Sequence, residues 1–199
     1  MGLSVHYSGK IKSYPLINLL VEEVKDICGS MKWNYGVMDA GQSTLKPGDV
    51  AKKYTPKDVK GICFTPDECE TIALTFLPDN TLCCPAKLTC YDPESNDLMI
   101  EWISVKTQFA GIQTHIAVLK LLQYLKEKYF ESFELDDEGE YWGVWNEEIL
   151  QRRFDTYNFL LNSVAEALSN IPAIPGESAA SMAARIEAII KERLARDKK

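Results

Sequence analysis

The sequence predicts an α+β fold: a curved, mainly antiparallel sheet of about five to six strands with two helices packed on one face, followed by a C-terminal helical hairpin. Three observations carry this reading. Alternating apolar and polar residues recur at the start and in the middle of the chain, the period of a half-buried strand. Two amphipathic stripes at helical spacing are interleaved with them. A 4-3-4-3 apolar seam then follows Asn146. With 199 residues, 46% hydrophobic and 26% charged, the composition is that of a globular chain with one core and excludes disorder or a disulfide-stapled miniature.

Leu3, Val5 and Tyr7 alternate with Ser4, His6 and Ser8, which predicts the first strand. Ser13 and Pro15 suit a helix start, and Leu16, Ile17, Leu20, Val21, Val24, Ile27 and Cys28 form the first apolar stripe, with Gly29 expected as a left-handed cap. Trp33 to Met38 reads as a strand, and Asp39 to Lys57, with Gly41, Pro47, Gly48 and Pro56, as a long surface loop. Gly61 to Phe64 and Ile72 to Phe76 read as a hairpin, turned again at Pro78-Asp79-Asn80. Thr81 to Tyr91 and Leu98 to Phe109 are the next expected strands, joined across the turn formers Asp92 to Asp97, so that four strands form a meander.

Gly111 opens the second helix, striped by Ile112, Ile116, Leu119, Leu122 and Leu125 and widened by Val118, Leu121 and Tyr129; a face this wide implies burial against the sheet. Phe133 and Leu135 suggest a short final strand. Asn146 followed by Glu147 and Glu148 is a strong helix start. Leu150, Phe154, Tyr157, Leu161, Val164, Leu168 and Ile171 make the seam, Pro172 to Gly176 breaks it, and Met182, Ile186, Ile189, Ile190 and Leu194 mark a last helix. The expected organisation is therefore an α+β body over 1–145 and a helical hairpin over 146–199. The element order β-α-β-β-β-β-α resembles one half of the TATA-binding-protein fold. That resemblance implies a curved antiparallel sheet with two helices on one face, and it carries over no DNA-binding residue.

The formal charge is −7, from 22 basic and 29 acidic side chains. Eight of the acidic residues lie between Glu131 and Glu148, a stretch without Lys or Arg, so elsewhere 22 basic face 21 acidic side chains. Such a balance repels phosphate backbones, and nucleic acid is not expected as a partner. The sequence has no apolar run long enough to span a bilayer, and it starts directly on a strand-like pattern instead of a signal-peptide core. The expected location is cytoplasmic, with the six cysteines as reduced thiols.

Phosphate-loop, dinucleotide-turn, zinc-helix and nucleophile-elbow motifs are all missing, and no cofactor is expected. Cys63 and Cys69, like Cys84 and Cys90, have five intervening residues, against two to four for a zinc knuckle, and no metal site is assigned. The acid/base candidates are His6 on the polar side of the first strand, His115 one residue off the second helix stripe, and the carboxylates Asp136, Asp137, Glu138 and Glu140. Tyr141, Trp142 and Trp145 adjoin these carboxylates and are binding candidates, because aromatic side chains anchor interfaces. Thr107 and Gln108 sit where a strand passes into a helix, whose free N–H groups suit an anion.

Two readings follow. The leading one is a non-catalytic interaction or ligand-binding module that uses the acidic, aromatic segment as its surface for a protein partner or small ligand. The alternative is a small-molecule hydrolase or metal-assisted enzyme using the Asp136 to Glu140 carboxylates with His115 or His6. The helical seam would also serve a homodimer.

Overall fold

The computed structural model describes residues 3–39, 56–88, 100–169, 174 and 176–196. In chain order the elements are β1 (Ser4–Ile11), α1 (Leu16–Met31), β2 (Asn34–Met38), β3 (Lys60–Thr65), β4 (Ile72–Phe76), α2 (Pro85–Leu88), β5 (Ile103–Lys106), α3 (Gly111–Tyr129), β6 (Phe130–Asp137), α4 (Glu147–Ser169) and α5 (Ala179–Arg196). The fold is mixed α+β. Most of the loop expected at Asp39 to Lys57, the turn at Asp92 to Asp97, Cys90, and the side chains of Leu168, Ile171, Ile190 and Leu194 lie outside the described residues. The chain forms two compact units, Met1–Leu150 and Gln151–Lys199.

In the first unit the six strands are divided between two antiparallel three-stranded sheets, β5-β1-β6 and β2-β3-β4. This corrects the expected single curved sheet of five to six strands and the topology likened to the TATA-binding protein. The physical reason lies at β1. β5 takes one edge and β6 the other, with Tyr7 opposite Ile103 and Leu135, and past Tyr7 the β5-side edge meets residues 80–82, so β4 meets β1 through that short segment and not as a direct ladder partner. Among the described residues the isolated bridges Lys10 to Thr81 and Phe76 to Leu82 continue the pairing beyond the named strands. The strand expected over Thr81 to Tyr91 stops there because Pro85, which has no N–H to give a ladder, instead opens the short helix α2. The strand expected over Leu98 to Phe109 shortens to Ile103–Lys106.

A buried side chain adds a second tie between the sheets, beside the backbone bonds of Leu82 N to Gly9 O and Leu77 N to Thr81 O. Tyr7, fully buried on β1, donates its phenol to Ala73 O on β4 (2.9 Å) and accepts from Ala73 N (3.1 Å). Burial pushes the phenol's pKa upward, so the group stays neutral and can do both. Removing only this oxygen, in Tyr7→Phe, leaves a buried N–H and carbonyl without partners. The expected loss is about 1–3 kcal/mol of unfolding free energy in urea melts, and an unchanged midpoint would refute this tie.

Helix α1 buries Ile17, Leu20, Val21, Val24 and Cys28 against β2 and β3. It runs past Gly29 to Met31. Lys32 takes the left-handed cap (φ 58°), and the Trp33 N–H closes on Cys28 O at 2.9 Å; this corrects the cap expected at Gly29. Helix α3 buries His115, Ile116, Val118, Leu119, Leu121, Leu122, Leu125 and Tyr129, and so counts His115 inside its stripe. It passes without a loop into β6, because Lys12 receives its last turn: Lys12 N donates to Tyr129 O (2.9 Å) and Lys12 Nζ to Glu127 O and Lys128 O (3.1 and 2.9 Å). Glu23 of α1 accepts from Tyr124, Lys128 and Tyr129 of α3 and links the two helices.

The second unit comprises most of α4 together with α5. Asn146 starts α4 as expected, its Oδ1 accepting the Glu148 N–H at 2.9 Å. Along the seam Phe154 is buried, Tyr157 and Val164 are half-buried, and Leu161 and the neighbouring Phe159 are exposed. Among the described residues no helix is long and apolar enough to cross a membrane. The five described cysteines are free thiols, Cys28 and Cys83 buried and Cys63, Cys69 and Cys84 half-buried.

Candidate functional site

Strand β6 is eight residues long, and its alternation decides the fate of the acidic run. Leu135 and Asp137 register with Tyr7 and Val5, which are fully buried, whereas Asp136 registers with His6 on the outer face. One carboxylate of an adjacent pair is therefore driven inward and the other outward.

The inward one, Asp137, is met by a built receptor. Its Oδ1 accepts the Gly139 N–H (2.8 Å), and its Oδ2 accepts the N–H groups of Tyr141 (2.8 Å) and Trp142 (3.0 Å). His115 Nε2 lies 3.1 Å from Oδ1, and His115 Nδ1 is 2.7 Å from the Thr107 hydroxyl. Thr107 and His115 are fully buried, and the Asp137 side chain is 1% exposed. An ionised carboxylate only accepts, so any hydrogen shared in this contact comes from Nε2. Burial pushes the Asp137 pKa upward, but the His115 contact and the backbone N–H groups outweigh it and hold the group below the ordinary 3.8. Gly139 is required in this turn: a Cβ there would stand 2.7 Å from Leu150 Cδ1 and 2.9 Å from His115 Nε2.

These bonds fix the chain from Asp137 to Trp142 and, with it, the aromatic residues that follow. Tyr141 is buried, Trp142 half-buried, and Trp145 and Val144 are exposed. Trp145 meets Tyr141 edge-on at 5.3 Å and Trp142 at 5.5 Å; Trp142 continues to Phe133 at 6.3 Å, and Lys126 Nζ lies 5.5 Å from its ring centroid. Open clefts flank this ridge. One of about 350 Å³ is lined by Leu135, Asp136, Asp137, Glu140, Trp142, Val144 and Ile149. The other, about 440 Å³, is lined by Lys120, Gln123, Tyr141, Trp145 and Glu147.

The candidates thus separate. Asp136, Glu140 and Trp142 share a cleft; Tyr141 and Trp145 border the second. His115, Asp137 and Thr107 meet in the interior, and Gln108, 4% exposed, accepts the Leu3 N–H through Oε1 (3.3 Å). His115 is therefore not a helix-boundary group off the stripe, and Thr107 and Gln108 are not at an accessible helix start: burial removes all three from solvent. His6 lies elsewhere, on the outward face of β1, with Ser104 Oγ 2.8 Å from Nδ1 and Glu138 Oε1 3.8 Å from Nε2. The two histidines do not converge. Among the described residues no group of three or more His, Cys, Asp or Glu side chains is placed to hold a metal.

The sequence reading did not single out Gly139, Ser104 or Lys126. Asp137-Glu138-Gly139 carries the Asx-turn signature, which could have flagged the first. Ser104 and His6 are 98 residues apart and meet only through strand register. No family model, curated protein or solved structure matches the chain.

Proposed function

We propose that this protein is a cytoplasmic interaction module whose acidic, aromatic ridge over Asp136 to Glu147, a surface that binds and does not catalyse, receives a basic partner segment carrying an apolar anchor. The observation that carries the reading is the pinning of the ridge: a buried carboxylate holding three backbone N–H groups fixes a loop that nonetheless leaves Val144 and Trp145 exposed. An ordered aromatic surface loses little conformational entropy on binding, which is what an anchor residue requires. The carboxylates of Asp136 and Glu140 beside Leu135, Val144 and Ile149 suit a Lys or Arg stem with its charged head.

The test is a panel of synthetic peptides that combine Arg or Lys with Leu or Phe, set against acidic counterparts and read by Trp fluorescence and calorimetry. Saturable binding confined to the basic peptides is expected, weakening with salt and at least tenfold weaker in Trp145→Ala or Asp136→Asn. Equal response to acidic and basic peptides, or indifference to both substitutions, would remove the ridge as a binding surface.

A further inference from the structure

A second hydroxyl–histidine–carboxylate chain lies on the outward face of the β5-β1-β6 sheet. Ser104 on β5 and His6 on β1 are direct cross-strand partners, and their orientation follows from the neighbouring hydrogen bonds. Thr107 N donates to Leu3 O, towards β1, while Lys106 N donates to Glu70 Oε2 (2.7 Å) and Lys106 O accepts from Glu70 N (3.2 Å), away from β1. Because backbone direction alternates along a strand, the Ser104 N–H also faces away from β1, and Ser104 with His6 is a pair without mutual backbone bonds. In such pairs the side chains stand closest. Two residues earlier, Trp102 O takes Lys87 Nζ at 2.7 Å on the same outer edge, as the alternation requires.

The result is Ser104 Oγ 2.8 Å from His6 Nδ1, with His6 Nε2 3.8 Å from Glu138 Oε1. Glu138 is itself oriented, since its Oε2 accepts the Ser4 N–H at 2.7 Å. The interior set has the same order, hydroxyl on Nδ1 and carboxylate on Nε2, but Thr107 and His115 are sealed from solvent. On the outer face Ser104 is exposed, and the His6 and Glu138 side chains are 24% and 39% exposed. A substrate can reach one set and not the other.

We propose that Ser104, His6 and Glu138 form an acyl-transfer site acting on small carboxylic esters; it adjoins the aromatic ridge, since Glu138 belongs to that segment and Asp136 is a cross-strand partner of His6, but it uses neither Asp136 nor Trp145. Ser104 Oγ attacks the ester carbonyl carbon while its proton passes to His6 Nδ1, and the Glu138 carboxylate, 3.8 Å from Nε2 and beyond hydrogen bonding in this structure, stabilises the imidazolium by charge. The tetrahedral intermediate collapses as the carbon–alkoxy bond breaks, and the leaving oxygen takes the proton back from Nδ1. Water then attacks the acyl–Ser104 ester by the same relay, releasing a carboxylic acid and restoring the serine. The Ser104 N–H, directed to the outer edge of β5, is the donor we assign to the developing oxyanion. The exposure of Ser104 suits a small acyl group, which needs little enclosure.

The experiment uses the full chain with p-nitrophenyl acetate, read by p-nitrophenol release and by peptide mass spectrometry. A stoichiometric burst and an acetyl group on Ser104 are expected. Ser104→Ala should abolish the adduct and lower turnover at least tenfold, His6→Gln should do the same, and Glu138→Gln should lower kcat several-fold and alter the pH profile. Ser132→Ala, an exposed serine of β6, should leave turnover unchanged. Circular dichroism should show native folding for all four variants, which is expected for surface positions. No acetyl group on Ser104, or turnover that survives Ser104→Ala or His6→Gln in folded protein, would overturn the proposal. Those results would leave the peptide-binding reading of the ridge standing on its own test.

Discussion

Asp137→Ala is expected to lower the thermal midpoint by roughly 10 °C, since each buried donor left without its acceptor costs about 1–3 kcal/mol and each kcal/mol is worth about 2–4 °C in a chain of this size. The loss comes less from the missing carboxylate than from what it abandons. The N–H groups of Gly139, Tyr141 and Trp142 lose their acceptor together, and His115 is left facing a void. Asp137→Asn separates charge from shape: the amide keeps one oxygen but turns an NH2 towards backbone donors, so a smaller loss is expected. The pH dependence has a definite sign. A carboxylate whose folded pKa is lowered stabilises fully above its unfolded pKa, and that contribution fades as acid protonates it in the fold. Melts from about pH 7 to pH 3 should therefore show a wild-type advantage over Asp137→Asn that is flat down to about pH 4 and narrows below it. A gap that widened on acidification, or an Asp137→Ala midpoint equal to wild type, would contradict the network. Peptide binding at the ridge should fall in Asp137→Ala at a temperature where the variant is still folded, because the loop bearing Trp145 is no longer fixed.

Short-range signals in the sequence were enough to find the long helices α1, α3, α4 and α5, while the short α2 lay inside an expected strand. The stripe from Ile17 to Cys28 is the buried face of α1, and Asn146 caps α4 through its own side chain. Strand existence was legible at β1 and β4 from alternation, and at β2, β3 and β6 from short apolar runs bounded by turn formers. Strand partnership was not, because nothing in Leu3 to Tyr7 encodes which of five other strands will take its edges; that choice is settled by global packing. The acidic run misleads for a related reason. Asp136, Asp137 and Glu138 look equivalent in composition, yet the strand period sends only Asp137 inward, and a carboxylate is stable there only because Gly139, Tyr141, Trp142 and His115 supply donors. His115 was off the expected stripe by one position, about a quarter of a helical turn, which is enough to move a side chain from a boundary into a core. The candidate surface was half visible as a result: Trp142, Trp145, Asp136 and Glu140 were marked by sequence, while the anchor beneath them, and the meeting of His6 with Ser104, required the register of β1 against β5 and β6.

That register depends in turn on the second sheet, and Gly61 is where a single added carbon tests it. Gly61 has φ +150°, outside the region open to L residues, and an added Cβ would sit 2.1 Å from Leu74 O and 2.7 Å from Thr75 Cα. Both clashing atoms are backbone, on β4, whose five residues are all buried, so no side chain can swing aside. Relief requires β3 and β4 to separate where Gly61 opposes Thr75 and Ile62 opposes Leu74. Gly61→Ala is accordingly expected to cost about 4 kcal/mol or more, combining backbone strain with overpacking, and to shift the thermal midpoint by at least about 10 °C. Gly36→Ala supplies the comparison. It lies on the neighbouring strand β2, opposite Cys63, with nothing within 4 Å of an added Cβ, so it should change stability by no more than about 0.5 kcal/mol. Urea and thermal melts of the pair discriminate: similar midpoints would mean that β4 yields to β3, whereas a large difference would mean that it does not. If β4 holds, then Ala73 is a fixed support for Tyr7, and Tyr7 fixes the strand from which both Val5, opposite Asp137, and His6, opposite Ser104, take their positions.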